Sequence, residues 1–440
     1  MKLVNIHIQI VLIVLLLAFY PHSHGRAQTL TLEQCVDTAL VFNRTLQAGR
    51  NDQALSRLKH REARANLLPR VTADADYRYF THLPTQLLPL EVFNGPEGRY
   101  KDAQFGVPHN IGVNVQLAMP LYHPQIKGGI QAAEIAGELS DLQYRKSEEQ
   151  VIFEVTNLYY NAQILHRQLA FIDSNQANVN RLLVNMELLK EQGLAKGTDV
   201  GKIQLQGEQL SAQKEQAESK LEQVLNSLKF LMGLSLDRAL SVQTEIARRE
   251  AVKYPAFPSL DLRIAQTRNR LLTNELNTLE KSRLPSVSLL ANYGLTGFGY
   301  GQQPEPFLKF FPVGFIGVRA AFTVWDGTTR LQIEQKRMEL RNNVIQSDQI
   351  QAQNDLLIAN AVLKRSTAER AIQTSSQQIE LAETVYRQTV LQQEQGTATL
   401  ADVLLADNDL RQAQQQYLNA IIEYLKADLE LKKASGSIKQ

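Results

Sequence analysis

The sequence predicts a mainly α-helical chain with a small membrane β part, four strands set between very long coiled-coil helices. Three observations predict it. Two stretches almost free of helix breakers carry apolar residues at helical spacing. Four segments alternate between apolar and polar side chains. And one succession of helix, strand pair, long helix and return helix is written twice.

The 440 residues are 44% apolar and 21% charged, ordinary for a folded chain and not for a disordered one. Lys plus Arg number 47 against 45 for Asp plus Glu, so nothing suggests a nucleic-acid partner. One cysteine, Cys35, excludes an intrachain disulfide framework and any multi-cysteine metal or iron–sulfur site. After the N-terminus no apolar run is long enough for a spanning helix, which excludes a polytopic helical membrane protein.

Lys2, an apolar stretch from Ile8 to Tyr20, and Gly25-Arg26-Ala27 make a secretory signal peptide over 1–27, cut after Ala27. Cys35 sits in Leu32-Glu33-Gln34-Cys35, a helical setting without a lipobox, so an exported chain with no lipid on its N-terminus is expected. A lone cysteine also suits an oxidising compartment.

Glu191-Gln192-Gly193 followed by Asp199-Val200 recurs as Glu394-Gln395-Gly396 followed by Asp402-Val403. The same offset carries Gly233 to Gly436 and Tyr122 to Trp325, while Leu68-Pro69-Arg70-Val71 recurs as Leu284-Pro285-Ser286-Val287 at a longer one. Two internal repeats are therefore expected, 28–235 and 259–440, joined by a linker or equatorial segment over 236–258 that contains Pro255 and Pro258.

Within the first repeat, Thr31 to Asn66 reads as helix, opened by a Thr31/Gln34 capping box and ended at Leu68-Pro69. The strand pair at about 70–120 follows. Val71, Ala73, Ala75, Tyr77 and Tyr79 alternate with Arg70, Thr72, Asp74, Asp76 and Arg78. A turn-rich stretch then runs through Pro84, Pro89, Asn94-Gly95-Pro96 and Gly98. Ile111, Val113, Val115, Leu117 and Met119 next alternate with Asn110, Gly112, Asn114 and Gln116. The second repeat places its pair at about 286–325, with Val287, Leu289, Ala291, Tyr293 and Leu295, then Ile316, Val318, Ala320, Phe322 and Val324.

A soluble sheet with one wet face is the commoner use of such alternation. Segments of about ten residues also match bilayer-crossing strands. Asp74, Asp76, Arg78 and Arg319 fall on the opposite side, as a watery lumen would require. Interface aromatics gather at the strand ends, Tyr79, Phe80 and Tyr100 at one and Tyr122 and Trp325 at the other. The membrane reading is favoured. Four strands cannot close a barrel and an open edge is not tolerated in lipid, so the chain must oligomerise, most simply as a ring.

From Gln125 to Gln192 there is no proline, and a run of that length spans roughly 100 Å as helix. Thr328 to Gln395 is its counterpart. Glycine loops follow, Gly193 to Gly197 and Gly396 to Thr399. Return helices then run from Thr198 to Met232 and from Thr399 to Ala434, with Gly233 and Gly436 as C-caps. Asp199 and Asp402 each sit in a first turn, where helix capping and dipole complementation alone explain a carboxylate.

The residues resemble the TolC family of outer-membrane efflux proteins over nearly the whole mature chain. The resemblance is carried by Leu30-Thr31-Leu32-Glu33, both Leu-Pro strand entries, Met119-Pro120-Leu121-Tyr122, and Val155-Thr156-Asn157-Leu158-Tyr159-Tyr160. It implies a homotrimer, closed into a 12-stranded β-barrel with four strands per chain in the outer membrane of a Gram-negative bacterium. It also implies an α-barrel tunnel across the periplasm. The implied partners are a periplasmic adaptor (membrane fusion) protein, an inner-membrane pump of the resistance-nodulation-division or ABC type, and outer-membrane lipid. By the family's motif Asp402 matches the first aspartate of a pore constriction, while the second position is Leu405 and the nearest carboxylate is Asp407. The gate-locking positions fall on Ala398 and Gln393. Gly193, Asp199 and Gly396 mark the periplasmic tip that would contact the adaptor.

Enzymatic chemistry is not expected. His60, His82, His109, His123 and His166 have no metal-ligand spacing, and no nucleophile–base signature is evident, so no cofactor and no metal is assigned. Gly297-Phe298-Gly299-Tyr300-Gly301 mimics a nucleotide-binding run but is followed by no helix. The expectation is a passive exit duct for small molecules (drugs, toxic compounds) or proteins. The alternative is a periplasmic coiled-coil scaffold or adaptor without a pore, which explains the helices and fails on the strand pairs.

Overall fold

A computed structural model describes residues 28–246, 254–255, 257–299 and 308–439; the signal peptide expected over 1–27 lies outside them. The chain order begins β1 (Gln28–Leu30), α1 (Leu32–Phe42), α2 (Arg44–Ala65), β2 (Arg70–Tyr79), β3 (Thr85–Pro89), β4 (Tyr100–Gln104) and β5 (His109–Tyr122). It continues through α3 (Pro124–Glu191), α4 (Gly197–Leu231), β6 (Leu240–Val242), α5 (Leu260–Lys281), β7 (Ser286–Gly299) and β8 (Leu308–Ala321). It ends with α6 (Gly327–Glu394) and α7 (Leu400–Ala434). The protein is thus mainly helical with a small sheet. Helices α3 and α6 have 68 residues each, and α4 and α7 have 35 each. Among the described residues no helix is long and apolar enough to cross a membrane.

The chain divides into two compact units, one from residues up to 51, 143–263 and 349–440, the other from 52–142 and 264–348. Each unit draws on both halves of the sequence.

In the first unit the Thr31/Gln34 capping box forms as expected. The helix expected to run on to Asn66 instead breaks at Asn43. Its Oδ1 accepts from the Leu46 N–H at 3.2 Å, and its Nδ2 donates to the Leu231 carbonyl at 2.8 Å. One amide therefore caps the start of α2 and the end of α4, and the local polar bonding outweighs helix continuity. Arg50 closes the break from the other side, donating to the Leu40 and Val41 carbonyls at the end of α1. Gly233 and Gly436 lie one residue past the C-caps Met232 and Ser435, in the left-handed region at φ 67° and 71°.

The core of this unit is built on the Val155–Tyr160 segment of α3. Val155, Tyr159 and Ala162 meet Cys35, Ala39, Leu46, Leu228 and Met232, all essentially inaccessible. The Tyr159 hydroxyl donates to the Leu30 carbonyl, and Gln163 Nε2 donates to the Gln243 and Glu245 carbonyls. Burial pushes the Cys35 thiol up to about 12, so it packs as a small apolar side chain.

In the second unit β2, β5, β7 and β8 form one antiparallel sheet in the order β2-β5-β7-β8. The turn-rich stretch holds a further hairpin, β3 against β4, which the alternation did not reveal. Pro84 and Pro89 argue against a strand there, yet Pro89 sits at a strand end where its missing N–H costs least. Strand β8 stops at Ala321, so Phe322, Val324 and Trp325 lie beyond it. Asp326 ends the extended run by accepting from the N–H of Thr328 at 2.8 Å, opening α6. Helices α3 and α5 approach closely at Gly128, where a Cβ would lie 2.0 Å from Thr278 Oγ1.

Gly233 and Gly193 share a helix-end position and a left-handed backbone, but only Gly233 is crowded, with a virtual Cβ 2.3 Å from the Phe42 carbonyl oxygen. Alanine at either position should cost about 1–2 kcal/mol for the backbone alone. Gly233→Ala should cost visibly more, because Phe42 and the Asn43 break must move. Thermal unfolding of the two variants checks this; an equal fall in Tm would show the contact to be unimportant.

Candidate functional site

The sheet is the first functional element, and its register decides which side chains share a face. Directly opposed residues of an antiparallel ladder point the same way. Val71 pairs with Leu117, which pairs with Ala291, which pairs with Ile316. Ala73, Val115, Tyr293 and Gly314 form the next row, and Ala75, Val113, Leu295 and Pro312 the one after. One face is therefore apolar across all four strands. The opposite rows run Thr72, Gln116, Asn292, Phe315 and Asp74, Asn114, Gly294, Val313. Asp74, Asp76, Arg78 and Arg319 all lie on this second face, as the sequence suggested.

Glycines on that face make room for polar neighbours. A Cβ at Gly112 would lie 2.6 Å from Asp76 Oδ1, and one at Gly294 would lie 2.2 Å from Asn114 Oδ1. Asp76 also holds Arg78 at 2.8 Å, and Asn114 Nδ2 donates to Asp74 at 3.3 Å. The apolar face is open: Ile316 is 81% exposed and Val71 61%. Strands β5 and β7 are paired on both sides, while β2 and β8 each leave one side unpaired among the described residues.

The interface aromatics take opposite ends of this sheet. Tyr79 closes β2 opposite His109, whose ring also stacks on Tyr77 at 6.0 Å between centroids. Tyr122 closes β5 at the other end. A register shift between Pro120 and Tyr122 pairs Tyr122 with Val287 and so moves it onto the apolar face. Trp325 is 86% exposed in the turn before α6. Tyr100 belongs to the β3–β4 hairpin and not to this sheet.

The second element is the pair of helix reversals in the first unit. Gly193 and Gly396 have φ 74° and 75° with no atom within 4 Å of a virtual Cβ, so glycine is needed there for backbone sign and not for space. In both, a doubled carbonyl–amide closure follows, Leu194 N to Leu189 O and Thr397 N to Gln392 O. Asp199 lies in the first turn of α4, 3.5 Å from Lys202. Asp402 completes a capping box with Thr399: its Oδ2 accepts from the Thr399 N–H at 2.8 Å and from the Thr399 hydroxyl at 2.6 Å. Those bonds, the hydroxyl's first, hold the Asp402 carboxyl below its usual range. Leu405 lies one turn further on and is 62% exposed.

Asp407, expected at the constriction, is not on an open surface. It is 2% exposed, between α7 and α4, where Gln206 Nε2 donates to its Oδ2. Arg411 Nε approaches the same oxygen to 3.0 Å without hydrogen-bond alignment, and Oδ1 has no partner among the described residues. The displacement follows from helical period: Asp402 and Leu405 fall on the exposed side of α7, while Val403, Ala406, Asp407 and Leu410 fall on the packed side. Burial raises the Asp407 pKa, offset in part by Arg411 and then by the Gln206 bond. Tyr386 nearby is pushed up to about 12, by burial first and the Asp407 charge second. Sequence reasoning had no sign of this buried cluster, since Gln206 and Tyr386 are remote in the chain. Of the positions compared with a gate lock, Gln393 contacts Met186 Sδ at 3.5 Å and Ala398 has no polar side chain.

An antiparallel sheet greasy on one face and open at both edges, joined to 68-residue helices, defines a class: channel proteins of the outer membrane. The sequence model of the outer membrane efflux protein family matches residues 35–234. Outer membrane protein TolC of Salmonella enteritidis is 21% identical over 436 residues, covering 94% of this chain and 83% of that protein. Among solved structures, outer membrane protein VceC of Vibrio cholerae superposes with a TM-score of 0.73 at 17% identity, covering 92% of this chain and 96% of that one. The CmeC outer membrane channel of Campylobacter jejuni gives 0.73 at 14%, covering 92% and 85%. These likenesses establish the fold. With the family match over 35–234, they make this chain similar to outer-membrane efflux proteins, which are channel and transport proteins.

Because the folded state holds Asp407 at a raised pKa, this group favours the native state most at low pH. That contribution is lost as pH rises from about 4 through the folded value. Asp407→Asn keeps an acceptor for Gln206 and removes the titration. Stability of wild type relative to Asp407→Asn should therefore fall as pH rises above about 4, as read by denaturant midpoints. A difference constant with pH would remove the buried-carboxyl assignment.

Proposed function

We propose that the chain is the exit duct of a tripartite efflux or secretion system, a passive channel for small molecules or proteins. An inner-membrane pump of the resistance-nodulation-division or ABC type would deliver them through a periplasmic adaptor. The observation that supports it most is the shared register that makes one face of the sheet apolar while leaving two edges open. Backbone groups on those edges find no water in lipid and must pair with another chain. Three copies bring twelve strands, enough to close a barrel, and a ring gives each β8 a neighbouring β2. In the same reading 28–235 and 259–440 are duplicated halves about the 236–258 segment, and their long helices line a periplasmic tunnel. A pore-free scaffold has no use for the apolar face.

The Asp402 carboxylate, with Leu405 a turn away on the exposed side of α7, is proposed to ring the periplasmic constriction, and Asp407 is left out of that ring. The reversals at Gly193 and Gly396, with Asp199, are proposed to meet the adaptor. Tyr79, Tyr122 and Trp325 are proposed to sit at the membrane interfaces.

Cross-linking of detergent-extracted protein should give a three-chain species, and planar bilayers should show cation-preferring conductance that weakens in Asp402→Asn. Monomer alone would count against the barrel, and unchanged selectivity would remove Asp402 from the constriction.

Adjacent residues on β8 offer a second test. Ile316→Arg places a charge on the apolar face and should cost about 2–4 kcal/mol at mid-bilayer depth, so membrane-integrated protein drops. Phe315→Arg points to the other face and should insert normally. Equal insertion of the two, measured by heat-modified migration after extraction, is incompatible with the assigned faces.

A further inference from the structure

The second unit contains a groove of about 640 Å³ where α3 begins beside the end of α5. Its charged lining is Lys127, Lys281 and Arg270, and no carboxylate lines it. Arg270 is already neutralised by a two-pronged contact with Glu138. Lys127 and Lys281 have no carboxylate within 4 Å among the described residues. The remaining wall is hydrogen-bonding and neutral, chiefly Asn269, Asn277 and Gln131.

Position distinguishes this groove from an ordinary basic surface. Tyr122 and Leu284 belong to its lining and are both exposed, and Tyr122 is the residue that the register shift turns onto the apolar face. Lys127 Nζ lies 5.7 Å from the centroid of the Tyr122 ring, so one of the two free cations is held at the limit of the apolar belt. The shape is set by Gly128: any side chain there would strike Thr278, and Asn274 Nδ2 donates to the Gly128 carbonyl at 2.9 Å, fixing the two helices against each other.

We propose that this groove binds the phosphate-bearing headgroup of an anionic phospholipid from the adjoining leaflet, with Lys127 and Lys281 as the phosphate contacts. A phosphate diester needs cations and neutral donors without competing carboxylates, and its acyl chains need an apolar surface continuous with the headgroup site. The groove offers both. Free phosphate would satisfy the lysines but has no use for the exposed apolar surface of Tyr122 and Leu284, so the lipid is the favoured source. The inference rests on the reading that the sheet spans the outer membrane.

The test uses full-length protein purified in neutral detergent. Retention of phosphatidylglycerol against phosphatidylcholine is measured by native mass spectrometry, with bilayer conductance recorded on the same preparations. Wild type should prefer phosphatidylglycerol, and Lys127→Gln with Lys281→Gln should lose about fivefold for each lysine while still conducting. Lys364→Gln, a surface lysine of the other unit, should leave the preference intact. The inference is overturned if the double variant keeps the full preference, or if millimolar inorganic phosphate displaces the lipid from wild type. Conducting wild type without any lipid preference would sink this inference and leave the duct reading standing. Wild type that never conducts would sink the duct reading instead.

Discussion

Every other feature of this protein depends on the saturation of backbone hydrogen bonds in a sheet with one greasy face. Strands β5 and β7 satisfy their amides and carbonyls on both sides, and β2 and β8 satisfy theirs on one. Water can complete such edges in a soluble protein, but hydrocarbon cannot, and each unpaired group there costs several kcal/mol. An apolar face as continuous as the Val71, Leu117, Ala291, Ile316 row is equally unfavourable in water. The two penalties are relieved together only if lipid covers the face and other copies complete the edges. Symmetry then follows from the sequence having just one kind of β8 edge and one kind of β2 edge. Whatever each chain attaches to its strands would then be repeated around the same axis, and closure would make the polar face enclose a space.

At the helix reversals, structure and charge reinforce one another. Gly193 and Gly396 let a 68-residue helix turn back with its last carbonyls bonded, leaving a bare tip. The return helix then needs a cap, which Asp402 supplies through Thr399. The bonds that cap the helix also hold the carboxyl ionised and fix its rotamer. Capping and a charged constriction are therefore compatible roles for one residue, because a cap that lowers the pKa opposes the mutual repulsion that would raise it in a ring.

What could be read from the sequence was what depends on local period. The faces of β2, β5 and β7 follow from alternation, the helix spans from the absence of breakers, and the reversals from glycine where a left-handed residue is required. What escaped reading depends on contacts between distant segments. Asn43 breaks a helix because Leu231 needs a donor. Asp407 is buried because Gln206 and Tyr386 lie behind α7, and no spacing in the chain announces either. The β3–β4 hairpin escaped because its prolines are tolerated at strand ends, a matter of pairing and not of composition. The Tyr122 register shift likewise requires knowing which residue of β7 stands opposite.

Strand β8 shows why a face is a property of the sheet and not of one strand. Read alone, β8 is apolar on both sides: Phe310, Ile316 and Val318 on one, Phe311, Val313 and Phe315 on the other. Only its ladder to β7 resolves the ambiguity, because Ile316 stands opposite Ala291 and Phe315 opposite Asn292. The second set therefore continues rows that carry Asp74, Asn114 and Gln116, with Lys309 and Arg319 at their ends. On the polar face Phe298 and Phe311 lie 6.0 Å apart, with Lys309 over the Phe311 ring. A face that mixes carboxylates, amides and cation-flanked aromatics offers no single deep well. A passing molecule meets many weak contacts of differing chemistry, which suits a conduit that must release whatever enters it.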